Sequence, residues 1–97
     1  MDPVKREAYQ DKLNAQIKEW DAKIEQLRAR AEQADADAKI EYQNRIKELQ
    51  GKRNTLQEKM NDMKAAGEDA WEDLKAGVDN AFSDLKTSVE SAMDRFK

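Results

Sequence analysis

Residues 31–39, AEQADADAK, decide between two folds for this chain. The segment contains no glycine, proline or asparagine, and its alanines favour one helix running through it. Alternatively, Asp35 or Asp37 caps the start of a new helix, and the chain then forms a three-helix bundle with helices of similar length. The sequence favours the unbroken helix, which predicts an all-α fold with a long helix and a shorter antiparallel helix, a coiled-coil hairpin.

On both sides of this segment, the apolar residues follow a heptad-like seam. It continues through Ala31, Ala34, Ala38 and Tyr42, and Arg53 occupies one of its positions. Asp2 and Pro3 suit the N-cap and the first position of the helix. We therefore expect one long helix over about residues 3–66. The large apolar side chains of this seam are Leu13, Ile17, Trp20, Ile24, Leu27, Ile46, Leu49, Leu56, Met60 and Met63.

The first clear break in this pattern is residues 65–69, AAGED. Gly67 suits a left-handed position after the end of a helix, and Asp69 with Glu72 matches the spacing of a capping box. The sequence therefore predicts a turn that contains Gly67 and Asp69, followed by a second helix over about residues 69–97. Together, the two helices form a single coiled-coil domain over residues 1–97.

The C-terminal third repeats every 11 residues, as WEDLKAGVDNA, FSDLKTSVESA and MDRFK. At about 100° per residue, repeat positions 1, 4, 8 and 11 form a stripe about 80° wide. A period of 11 keeps this stripe nearly straight along the helix. The large apolar residues of the stripe are Trp71, Leu74, Val78, Phe82, Leu85, Val89, Met93 and Phe96.

Two functions of this stripe compete. It packs on other helices, or it lies on a lipid surface, as do the 11-residue repeats of exchangeable apolipoproteins, which it resembles. The stripe is narrow for a membrane interface. Residues 67–97 contain eight acidic and four basic residues, a net charge of −4, which anionic lipid repels. The pattern therefore favours helix packing, and a membrane or lipid surface is the less favoured partner.

In a hairpin, a second helix of about 30 residues covers only half of the long helix. The apolar residues from Leu13 to Leu27 then stay uncovered, which predicts a homo-oligomer. A dimer is the simplest assembly. Alanines at every seventh position suggest either an exposed helix face or a second seam used in higher assembly. They are Ala8, Ala15, Ala22, Ala29 and Ala36.

Composition excludes most chemistry. The 97 residues include 18 basic and 21 acidic ones, with the two signs interspersed, so no nucleic-acid-binding stripe is predicted. The chain has no histidine and no cysteine, which removes the usual metal ligands, nucleophiles and general bases. No run is long and apolar enough for a membrane span, so we expect a cytoplasmic protein. We predict no enzyme activity and no catalytic, cofactor-binding or metal-binding residue.

The segments DAKIEYQ (residues 37–43) and AWEDLKAGVDNAF (residues 70–82) resemble a family of small bacterial coiled-coil proteins, some of them labelled stress-response proteins. The resemblance implies an all-helical, non-catalytic protein linked to stress, without active residues to carry over. The sequence as a whole predicts a self-associating structural or interaction protein, such as a scaffold or filament subunit. The alternative is a peripheral amphipathic-helix protein that binds a lipid or granule surface.

Overall fold

A computed structural model describes residues 2–97 as three α-helices joined by short turns. The helices are α1 (Pro3–Glu32), α2 (Ala36–Ala65) and α3 (Glu68–Arg95). Arg6 Nη2 lies 3.3 Å from the carbonyl oxygen of Ala66, so the start of α1 is next to the end of α2. Arg30 Nη1 lies 2.8 Å from the carbonyl oxygen of Phe96, so α1 and α3 end together. The chain is therefore an up-down-up bundle, 51 × 18 × 17 Å in extent.

The start of α1 agrees with the sequence prediction. Pro3 occupies its first turn, and the Asp2 carboxylate accepts a hydrogen bond from the backbone N–H of Lys5 at 2.9 Å. This bond satisfies one of the N–H groups that have no partner within the helix. The predicted cap is confirmed.

The favoured single helix over residues 3–66 is wrong, and the structure has the three-helix alternative. The chain breaks at Gln33, Ala34 and Asp35, and Asp35 caps α2 by accepting a hydrogen bond from the N–H of Ala38 at 2.9 Å. Local preference for helix amounts to only a few tenths of a kcal/mol per residue. Folding α1 back on α2 and α3 buries several large side chains, each worth roughly 1.5–3 kcal/mol. Burial therefore outweighs the local preference.

The second turn also differs in detail from the prediction. Gly67 has φ −71° and ψ 173°, so it is extended rather than left-handed, and it is the N-cap of α3. Asp69 lies inside the first turn of α3 and not at the cap. The helix begins early because Glu68 and Asp69 are favourable near the positive end of the helix dipole. The capping box predicted at Asp69 is therefore not used.

One apolar core runs along the bundle axis, with contributions from all three helices. Within residues 2–97 no polar or charged residue is buried. None of the helices in this range combines the length and the apolar character needed to cross a membrane.

Candidate interaction surface

The structure places every large apolar residue of the predicted α1 and α2 seam inside the bundle. Leu27 and Leu56 are completely buried, and Trp20 is 3% exposed. The surface that the hairpin left uncovered is thus covered within the same chain, by α2 and α3. A dimer was predicted because the hairpin left this part of the seam exposed, and in the bundle it is not exposed.

Most of the α3 stripe also faces the core. Trp71, Val78, Leu85 and Val89 are buried, while Phe82, Met93 and Phe96 are partly buried against the core. Leu74 is the exception, with 37% of its surface exposed. Leu85 has the same position in the 11-residue repeat and is fully buried. The difference in exposure between the two leucines therefore reflects where Leu74 lies along the bundle.

Aromatic contacts join the helices at three levels of the core. Near one end, the rings of Tyr9 and Trp71 meet edge to face with centroids 5.6 Å apart. Trp20 packs on Phe82 at 4.9 Å in the middle. At the other end, Tyr42 stacks on Phe96 at 4.0 Å. These pairs fix the register between helices.

Three polar side chains form a cluster at the α1–α3 contact. The Tyr9 hydroxyl donates a hydrogen bond to Asp79 Oδ1, and Lys75 Nζ lies 2.9 Å from Asp79 Oδ2. Burial raises the pKa of Tyr9, and the hydrogen bond to Asp79 and the charge of Asp79 raise it further. Burial also raises the pKa of Asp79, but the bonds from Tyr9 and Lys75 and the charge of Lys75 outweigh it, so the pKa falls below its usual value. Tyr9 is thus held neutral and Asp79 ionised, which suits a structural link.

The seam pattern did not predict the ion pair that Arg53 makes with another helix. Its guanidinium makes two hydrogen bonds to the Asp21 carboxylate, at 3.0 and 3.2 Å, and so joins α2 to α1. Lys52 joins α2 to α3 through Asp84 at 3.2 Å and Ser88 at 2.7 Å. A charged residue at a seam position was the available signal, but the sequence did not identify its partner.

A groove of about 600 Å³ opens between α1 and α2, and no α3 residue lines it. We call it the α1–α2 groove. Its apolar floor includes Ala31 and Ile46, and Gly51 leaves open space where a side chain would begin. The remaining lining residues are Arg28, Glu32, Lys39, Gln43, Lys47, Gln50 and Asn54.

The rim of the α1–α2 groove is positively charged. Arg28, Lys39 and Lys47 outnumber the single acid, Glu32. Arg28 pairs with Glu25 at 3.1 Å, whereas neither lysine has an ion pair within the described residues. The two lysines are thus the charges of this rim that remain available to an acidic partner.

The solvent side of α3 carries a second heptad pattern, in which acidic and small residues recur at alternating spacings of 4 and 3. All of its members are exposed, and none is basic or large and apolar. Small side chains allow another helix to approach closely. We call this set the α3 outer stripe: Asp69, Asp73, Ala76, Asn80, Ser83, Thr87, Glu90 and Asp94.

The structure defines the chain as a small three-helix bundle, and comparisons add no relative. The chain matches no protein-family model, no curated protein and no solved structure. Within residues 2–97, no group of three His, Cys, Asp or Glu side chains is arranged to hold a metal ion. Its function therefore has to be inferred from its surfaces.

Proposed function

We propose that this chain is a non-enzymatic structural protein that self-associates through helix–helix contacts. In this proposal the α3 outer stripe of one copy packs in the α1–α2 groove of the next copy. The observation that carries it is complementarity of charge. Four acidic residues and no basic residue belong to the stripe, whereas the groove has a basic rim.

Shape supports the same pairing. Packed helices approach to about 8–10 Å between axes when the side chains between them are small. The centre of the stripe offers Ala76, Asn80 and Ser83, and the groove offers Gly51 and Ala31. A small ridge can therefore enter the groove without displacing core residues.

The proposed contact joins two different surfaces. Such heterologous contacts form rings if the rotation closes, and open filaments if it does not. The function is therefore that of a scaffold or filament subunit. Exposed ion pairs contribute only about 0.2–1 kcal/mol each, so we expect weak association that salt reduces.

Charge reversal with rescue tests this proposal. In sedimentation velocity at low salt, the Lys39→Glu/Lys47→Glu and Asp73→Lys/Glu90→Lys variants should each lose self-association, and a mixture of the two should regain it. Lys12→Glu/Lys18→Glu is the matched control, because both lysines are exposed on α1 and neither lines the groove. A monomeric native chain, or reversed variants that associate as the native chain does, would contradict the proposal.

The lipid- or granule-surface alternative needs the apolar stripe of α3 to be accessible. In the bundle, Trp71, Val78 and Leu85 face the core, and the exposed side of α3 is acidic. Lipid binding would require α3 to leave the bundle. Self-association through the existing surface needs no such opening, which is why we propose it.

A further inference from the structure

The turn between α1 and α2 departs from helix over very few residues. Gln33 still has helical dihedral angles, with φ −95° and ψ −4°, whereas Asp35 is extended, with φ −68° and ψ 171°. No residue within positions 2–97 has a positive φ. Rotation about the bonds of Ala34 and Asp35 is therefore enough to join α1 and α2 into one helix.

Residues 33–35 have only a weak local preference against the helical conformation. It has no glycine or proline, and alanines stand on both sides of Asp35. Joining the helices would also provide partners for the backbone groups left unpaired at the end of α1 and the start of α2. The turn persists because α1 buries its apolar side chains against α2 and α3, and not because residues 33–35 favour a turn.

The contacts that hold the turn itself are few and exposed. Asp35 caps α2 through an exposed hydrogen bond, and the N–H of Ala34 reaches the Ala31 carbonyl at 3.2 Å. Among the helices, α3 packs more extensively on α2 than on α1. The element that can separate from the rest is therefore α1.

We propose that the chain also forms a domain-swapped homodimer. Residues 33–35 become helical, α1 and α2 join into one helix of about 63 residues and about 95 Å, and each α1 packs on α2 and α3 of the second copy. Every contact of α1 can be remade with the same residues of that copy, so the exchange costs little. This dimer goes beyond the groove contact proposed above and does not depend on it.

One substitution separates the two forms. Ala36 is exposed at the first position of α2, where the backbone N–H has no partner within the helix. Asp35 is extended, which is the backbone conformation that a residue adopts before proline. Ala36→Pro therefore suits the bundle. In a continuous helix the same proline removes a hydrogen bond and clashes with the preceding turn.

We expect Ala36→Pro to raise the dissociation constant of the swapped dimer at least about 100-fold, while circular dichroism shows unchanged helicity. Asp35→Ala should shift the equilibrium towards dimer, because it removes the cap of α2 and favours helix. Ala36→Glu is the matched control, since glutamate fits both forms. Light scattering gives the masses, with 11.2 kDa for the monomer.

Cross-linking tests the exchange directly. Because the native chain has no cysteine, a thiol reagent reacts only at cysteines that are introduced. An Asp21→Cys chain and an Arg53→Cys chain are unfolded together, refolded as a mixture and treated with a bifunctional thiol reagent. The side chains of these two residues meet in the bundle, with Arg53 Nε 3.0 Å from Asp21 Oδ1, so exchange of α1 places the two cysteines of different chains close to each other. Lys64→Cys in place of Arg53→Cys is the control, three turns further along α2.

The outcomes separate the two proposals. A linked dimer above the Lys64→Cys control, reduced by Ala36→Pro, supports the exchange. A dimer that neither links nor responds to Ala36→Pro overturns the exchange and leaves groove association standing. A monomer for both the native chain and Asp35→Ala overturns both. If Ala36→Pro does not fold, the cross-linking result alone decides.

Discussion

The Tyr9 hydroxyl on α1 donates a hydrogen bond to Asp79 Oδ1 on α3, and Lys75 Nζ holds the other oxygen of the same carboxylate at 2.9 Å. This bond links α1 to α3. Because it moves the pKa of both partners, the stability of the bundle should depend on pH at both extremes.

Replacement of Asp79 should remove an acid-sensitive contribution. The folded-state pKa of Asp79 lies below the unfolded value of about 3.9, so the contribution is present above that pH and is lost as the pH falls through the folded value. At pH 7, Asp79→Asn should lower the free energy of unfolding by about 1 kcal/mol, because the carboxylate is half exposed. Urea unfolding should show this difference shrinking below a pH of about 4; an equal difference at both pH values would contradict the assignment.

Tyr9→Phe tests the alkaline side. The folded-state pKa of Tyr9 lies above the unfolded value of about 10, so its contribution is complete below that pH and is lost as the pH rises towards the folded value. The stability difference between the native chain and Tyr9→Phe should therefore shrink above a pH of about 10. A Tyr9→Phe difference that is constant across pH 7–11 would exclude the coupling.

Leu27→Ala should destabilise the bundle through its core. Leu27 is fully buried, so its truncation should cost about 2–5 kcal/mol. Urea unfolding measures this loss as a lower free energy of unfolding. Leu74→Ala, at a 37% exposed residue, should cost less than about 1 kcal/mol. A loss for Leu27→Ala no larger than that for Leu74→Ala would contradict the burial of Leu27.

The heptad spacing and the 11-residue repeat identified the apolar residues that now form the core, because both patterns follow from helix geometry. The turn at residues 33–35 was not predicted as the favoured fold. Its only local signal is the cap at Asp35, and burial of α1 against residues distant in sequence decides the outcome. The patterns missed the Asp21 partner of Arg53, since this contact depends on how the helices face one another.

The α1–α2 groove and the α3 outer stripe required the structure for the same reason. No sequence pattern connects Arg28 with Lys39, Lys47 and Gly51. These residues come together only when α1 folds back beside α2. The outer stripe has a heptad spacing in the sequence, but its exposed position is known only once the opposite side of α3 is seen to face the core.

Gly51→Ala should stabilise the bundle. Gly51 lies inside α2, and no atom comes within 4 Å of the position that a Cβ would take. Alanine should therefore raise the free energy of unfolding by about 1 kcal/mol and the melting temperature by about 4–8 °C. Gly67→Ala is the control, since Gly67 is an N-cap and alanine is a poor cap. A lower melting temperature for Gly51→Ala would indicate a clash that the open groove does not contain.

A larger side chain at the same position separates stability from association. Gly51→Gln should keep a gain in melting temperature while occupying the α1–α2 groove, and so should weaken self-association. Gly77→Gln makes the same chemical change on α3, outside both the groove and the outer stripe, where only Lys59 Nζ comes near, at 3.8 Å. If both variants associate equally well, the groove is not the contact.

Sedimentation velocity of the native chain over a range of concentrations, at low and at high salt, measures directly whether copies of the chain associate. Self-association between the basic groove and the acidic outer stripe predicts species heavier than the 11.2 kDa monomer that grow with concentration and decline as salt screens the charges. A single 11.2 kDa species at every concentration and at both salt levels would contradict it.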